Sequence, residues 1–184
     1  MAQEVGTIDL RALELAPGAA VRLPVRTPPV GLVIGGQEHR TDPERPELDL
    51  EVSRSLSGLH LRLRGQADLV GPCVRCLEEA RAPLTVDTSE FVADGRPADA
   101  PFDEDFDSQY VEEGVLDVAT WARDAVAEAM PATLLCRPDC AGLCPHCGTN
   151  LNEASCDCEE DTTDPRWDAL REVAERLRRE DDRS

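Results

Sequence analysis

Eight cysteines fall into four close pairs, Cys73/Cys76, Cys136/Cys140, Cys144/Cys147 and Cys156/Cys158, and this spacing restricts the fold more than any other feature of the chain. Two residues between thiols, as in Cys73-Val74-Arg75-Cys76 and Cys144-Pro145-His146-Cys147, let both sulfurs turn onto one ion. In a secreted chain an even cysteine count suggests disulfides; in a reducing compartment close pairs more often bind metal or do redox work. The opening MAQEVGTIDL lacks a basic stretch followed by an apolar run, and no window approaches the ~18 apolar residues that span a bilayer. A cytoplasmic chain whose cysteines bind metal is the expectation.

Gly148 follows the second C-x2-C pair, permitting the tight turn that aims backbone N–H groups at sulfur. Closed by Cys156 and Cys158, this knuckle makes one four-thiolate site. By elimination, Cys73, Cys76, Cys136 and Cys140 make the other. A rival grouping joins Cys136/Cys140 to Cys144/Cys147, because only three residues separate Cys140 from Cys144. Four-thiolate sites suit zinc and iron alike, and two structural Zn²⁺ ions are expected because zinc is the commoner structural choice. Catalytic zinc keeps a position open for water, whereas eight thiolates fill two tetrahedra. His39, His60 and His146 are scattered, and no nucleophile-and-base motif or phosphate-binding loop occurs. No catalytic residue is expected, and the chain reads as non-enzymatic.

Charge narrows the partners. The net value is −19; eight ionised thiols subtract eight charges and two Zn²⁺ restore four, so the loaded chain carries −23. Nucleic-acid affinity rests on counterions released by Lys and Arg, so bulk polyanion binding is excluded and a basic partner is favoured. All 19 basic residues are Arg, which removes lysine-dependent chemistry. One local exception is Arg62 and Arg64, which alternate with Leu61 and Leu63. With Arg75 they form either a small RNA-phosphate patch or an ordinary solvated strand face.

The expected fold class is α+β: a small, mainly antiparallel β-sheet or partly open barrel with one packed helix, followed by a zinc-ribbon-like knuckle and a terminal helix. Alternation at Val21/Leu23/Val25, Val30/Leu32/Ile34, Leu48/Leu50/Val52 and Leu59/Leu61/Leu63, with a further strand at 84–92, predicts a β-rich domain over 1–93 carrying the first cysteine pair. Residues 94–114 hold eight acids against Arg96 alone and predict an acidic flexible loop. A helix capped by Asp117, with Val118, Trp121, Ala122, Ala125, Val126, Ala129 and Met130 on one face and Pro131 at its end, fills 115–140 with the second cysteine pair. The knuckle and a C-terminal helix opening at Asp164-Pro165, with Trp167, Leu170, Val173, Ala174 and Leu177 on one face, occupy 141–184.

CVRCLEEARAPLTV, the helix with Pro131, and CAGLCPHCGTNLNEASCDC with DPRWDAL together resemble the YceD family, the bacterial large ribosomal RNA subunit accumulation proteins, over roughly residues 55–178. The cysteine-rich tail is similar to that of Gram-positive and actinobacterial members. The resemblance implies a role in accumulation of the large-subunit ribosomal RNA precursor and no enzymatic activity. Three functions are therefore in view. A ribosome-assembly factor would bind a basic large-subunit ribosomal protein or pre-rRNA, with no membrane or small-molecule substrate. A redox-sensitive zinc thiol switch or chaperone would release metal on oxidation. A zinc-ribbon DNA regulator needs a basic recognition helix, which the acidic C-terminal segment does not supply.

Overall fold

A computed structural model describes residues 3, 4, 6–95, 101, 103, 107–158, 170, 173 and 174. The chain divides into two compact units, Met1–Gly142 and Leu143–Ser184. The class is α+β, a mainly antiparallel sheet with one helix.

The sheet of the first unit is organised by two strands of 15 residues, β7 (Gly58–Pro72) and β8 (Glu79–Ala93), paired from Gly58↔Ala93 to Pro72↔Glu79. Along β7, Leu59, Leu61 and Leu63 alternate with His60, Arg62 and Arg64, so one face is apolar and the other wet. On its other edge β7 pairs first with β6 (Glu47–Arg54), then with β5 (Gln37–Asp42). Outward from these lie β3 (Ala20–Arg26) beside β6, β4 (Gly31–Ile34) beside β5, and β1 (Gln3–Glu4), parallel to β3. This sheet is open: among the described residues β1, β4 and β8 each pair on one side only. A second sheet joins β2 (Thr7–Asp9), β10 (Val115–Asp117) and β9 (Val111–Glu112).

Helix α1 (Val118–Glu128) covers the apolar face. Val118, Trp121, Ala122, Ala125 and Val126 form one buried cluster with Leu50, Val52, Leu61, Leu63, Leu84 and Val86. Asp117 caps the helix, accepting from the Thr120 amide at 2.9 Å and the Thr120 hydroxyl at 2.7 Å. The predicted face and cap are those observed.

Three features differ from the sequence reading. Residues 37–42 form β5, although QEHRTD carries no apolar alternation; His39 and Thr41 occupy its buried positions. The segment expected as a flexible loop joins the fold at its C-terminal end, where Ser108 is buried and the Tyr110 ring stacks on Trp121 at a centroid distance of 6.0 Å. The β7–β8 pair also extends beyond its leucines to flank the first cysteine pair directly. Of the predicted C-terminal helix, Leu170, Val173 and Ala174 are helical; Asp164, Pro165, Trp167 and Leu177 lie outside the described residues. Among the described residues no helix is long and apolar enough to cross a membrane.

Candidate metal centres

Cys73 and Cys76 form the turn between β7 and β8. The Cys73 amide donates to the Glu78 carbonyl at 2.7 Å, and the Leu77 amide donates back to the Cys73 carbonyl at 2.9 Å. Beyond α1 the chain returns to this turn: the Val74 amide donates to the buried Leu134 carbonyl at 2.9 Å, and Arg75 Nη1 donates to the Cys140 carbonyl at 2.8 Å. These contacts bring Cys136 and Cys140 onto the hairpin tip.

The four sulfurs have the dimensions of a metal site. Cys73 Sγ lies 3.8 Å from Cys140 Sγ, and Cys76 Sγ lies 3.6 Å from Cys136 Sγ. Disulfide sulfurs stand about 2.05 Å apart. A tetrahedron with metal–sulfur bonds of about 2.3 Å has edges of about 3.8 Å, which both separations match. The Arg75 amide points at Cys73 Sγ at 3.5 Å, delocalising thiolate charge as a knuckle amide does. Cys73, Cys76 and Cys140 are buried and Cys136 is exposed.

The same turn recurs in the second unit. The Cys144 amide donates to the Thr149 carbonyl at 2.8 Å, and the Gly148 amide donates to the Cys144 carbonyl at 2.9 Å. Residue for residue this is the first knuckle, with Gly148 at φ 75° where the first has Leu77 at φ 65°. Asn150 then shapes the return, its Oδ1 accepting from the Asn152 amide at 3.1 Å. The sulfurs of Cys144, Cys147, Cys156 and Cys158 lie within 4.8 Å of one another, as do those of the first cluster. Cys147 and Cys158 are exposed.

Each cluster therefore contains four thiols able to hold a metal ion, in the grouping of Cys73/Cys76 with Cys136/Cys140 and Cys144/Cys147 with Cys156/Cys158. Their acidities divide as crowded thiols without a cation must. Burial pushes the Cys73 thiol up, but amides of Cys136, Cys76 and Arg75 outweigh it and bring the thiol down to about 6. Burial, then bonding to Cys140, Cys76 and Cys73, pushes Cys136 up to about 12. In the second cluster the Thr149 hydroxyl, 3.2 Å away, leads in lowering Cys147 to about 6. Bonding to Cys147 leads in raising Cys158 to about 12. One thiolate forms readily and suppresses its neighbours; a divalent ion would remove that conflict.

The arginines expected to contact RNA do not present excess positive charge. Arg62 and Arg64 do face outward from the sheet, but Arg62 Nε and Nη2 both donate to Asp87 at 2.8 Å. Arg64 donates to Glu51 at 3.3 Å, and Glu51 also accepts from Arg22 at 3.1 Å. Arg26 pairs with Glu47 on the same face. Arg75 instead sits in the first knuckle, held by Cys140. Asp49, opposite Arg64 in the register, is the fourth acid against Arg22, Arg26, Arg62 and Arg64, so cross-strand neutralisation, invisible before the register is known, turns the basic stripe into a balanced ladder.

Residues 61–174 match the sequence model of a family described as large ribosomal RNA subunit accumulation protein YceD. An uncharacterized protein of Mycobacterium bovis is 33% identical over 171 residues, covering 91% of this chain and 80% of the relative. An uncharacterized protein of Mycobacterium tuberculosis shows the same identity and coverage. One from Mycobacterium leprae is 32% identical over 104 residues, which are 56% of this chain and 48% of the relative. No solved structure matches the chain. With the family model matched from near the start of β7 into the second unit, and a relative aligned along 91% of this chain, the chain belongs to the YceD family of large ribosomal RNA subunit accumulation proteins.

Proposed function

We propose that this protein is a non-enzymatic, cytoplasmic zinc protein that supports accumulation of large-subunit ribosomal RNA by binding a basic ribosomal protein. The observation that carries the reading is the pair of all-thiol clusters, each with four sulfurs within 4.8 Å, in a chain of this family. Zinc bound there would cross-link backbone segments, with no coordination position left for water or substrate. Cys73 and Cys76 would tie the hairpin tip to the segment after α1 through Cys136 and Cys140. Cys144, Cys147, Cys156 and Cys158 would close the second unit on itself. The net charge of −19 and the neutralised arginines of the sheet face favour a basic protein over pre-rRNA as direct partner. Co-sedimentation of the zinc-loaded chain with large-subunit precursors, at several salt concentrations, is the test. Free sedimentation at low salt refutes the reading.

The exposure of Cys147 and Cys158 favours one second reading, a thiol switch at the second cluster. Mild peroxide would then join the four thiolates as two disulfides, with two peroxide molecules and four protons consumed to give four waters and free Zn²⁺. Zinc held until the chain denatures in peroxide argues against it.

A further inference from the structure

The β4–β5 hairpin ends the sheet on one side. Strand β4 is Gly31-Leu32-Val33-Ile34, four uncharged residues that pair only with β5 among the described residues. The hairpin turns at Gly35-Gly36, and its register runs Ile34↔Gln37, Val33↔Glu38, Leu32↔His39 and Gly31↔Arg40. With a two-residue turn, the antiparallel alternation aims the N–H and C=O of Ile34 and Leu32 at β5. Those of Gly31 and Val33 point away from β5, with no strand paired there among the described residues. Sheet edges are ordinarily blunted by shortness, lysine, proline or charge; β4 is short but carries no proline and no charge. Its Val33 side chain is 72% exposed.

A groove of about 500 Å³ adjoins this edge, with Leu32, Val33, His39, Val70 and Leu77 among its walls. Leu77 is the informative residue. It stands at φ 65° in the first knuckle, where the second knuckle uses glycine, and is 58% exposed. Glycine would make this turn at lower cost, so neither the turn nor the core accounts for a leucine side chain here. Its side chain lines the groove on the β7 side. The charges beside it are acidic in balance: Arg40 is matched by Glu79 at 3.9 Å and Arg81 by Asp42 at 2.5 Å. Glu38 in the groove wall and Glu78 beside Leu77 have no ionic partner among the described residues.

We propose that β4 and this groove receive an extended basic segment of a partner protein, added to the sheet as a further strand. Main-chain bonds would run to Gly31 and Val33, arginine or lysine side chains on the Val33 face would reach Glu38 in the groove wall, and the alternate apolar side chains, on the other face, would pack beside Leu32 and Ile34. A second copy of the chain, itself at −19, is repelled from the same edge. This deepens the ribosomal-protein reading on which it rests, naming the surface and the form of the partner.

The test uses the full zinc-loaded chain and a fluorescent ten-residue peptide of alternating arginine and valine, followed by anisotropy at low and moderate salt. Two control peptides carry N-methyl groups on alternate residues or glutamate in place of arginine. Val33→Pro removes the outward N–H while leaving the β5 bonds intact, and Glu38→Gln, at an exposed residue, removes the facing charge and folds even if Val33→Pro does not. The basic peptide is expected to bind, each substitution to weaken it at least ten-fold, and neither control to bind. Binding of the N-methylated peptide, wild-type affinity in both variants, or no binding at low salt overturns the proposal. Self-association abolished by Val33→Pro also overturns it, assigning the edge to a second copy. Co-sedimentation with precursors that persists without peptide binding defeats this inference alone. Peptide binding without co-sedimentation defeats the ribosomal reading alone.

Discussion

Exchanging Cys136 or Cys147 for serine separates the contributions of the two clusters. Both side chains are exposed, and serine differs by one atom, so lost packing at the substituted residue contributes little to the comparison. What differs is the stretch of chain each metal closes. The first cluster joins Cys76 to Cys136, 60 positions apart, whereas the second joins Cys147 to Cys156, only nine apart. Closure entropy grows as (3/2)RT ln n, so the longer loop restrains the unfolded chain by about 1.7 kcal/mol more. With a urea slope of about 2 kcal/mol/M, that is a midpoint difference of about 0.9 M. The ligands of the second cluster also lie wholly within Leu143–Ser184, so its loss leaves the sheet-bearing unit intact. Urea unfolding followed by far-ultraviolet circular dichroism, with zinc measured by elemental analysis, reads both effects. Each variant is expected to fall from two zinc ions to one, with Cys136→Ser unfolding about 1 M earlier than Cys147→Ser. Equal midpoints, a lower midpoint for Cys147→Ser, or two zinc ions in either variant would refute the reasoning.

Chelator challenge of the folded chain should withdraw one zinc ion quickly, from the cluster with two exposed thiols, and the second only on unfolding; Cys147→Ser should remove the fast phase. Without metal Cys76 and Cys136 are raised, as are Cys156 and Cys158, so each ion bound displaces at least two protons. Acidification should therefore weaken each site by at least about 100-fold per pH unit around neutrality, a slope read from zinc competition titrations. Asp117→Ala should cost about 1 kcal/mol through the lost cap. The Thr120 amide holds the Asp117 carboxyl below its ordinary value, so this contribution is complete above pH about 4 and disappears as the pH falls further. Asp117→Asn should keep the cap and flatten that acid limb in thermal melts. A β-carbon on Gly71 would meet His39 Cδ2 at 2.4 Å, so Gly71→Ala should cost about 1–3 kcal/mol, and adding His39→Ala should recover part of it. Strict additivity in that double-mutant cycle would show the contact to be absent.

Where residue type and period agreed, the sequence was readable. Leu61 and Leu63, the Asp117 cap and the apolar face of α1 stand where their spacing predicts, because burial selected both side chain and period. The cysteine grouping was readable to the extent that knuckle geometry is local. Strand β5 was hidden because its inward positions are polar: His39 is buried against Gly71, a close approach created only by pairing with β7. The length of β7 was hidden too, since Gly65, Asp68, Gly71 and Pro72 interrupt its apolar alternation. The pairing of the arginine stripe was hidden for a related reason. Arg62 and Asp87 are 25 positions apart, and only the register shows that they neutralise each other.

The β7–β8 ribbon also fixes a distance. Its paired residues run from Pro72 at the knuckle to Gly58 at the far end, about 45 Å of strand at ~3.3 Å per residue. The acidic stretch leaves β8 from that far end, at Asp94, while the groove beside Leu77 opens near the knuckle. Any single extended segment that touched both would need about 14 residues, so the ribbon sets a minimum length for a chain that spans it.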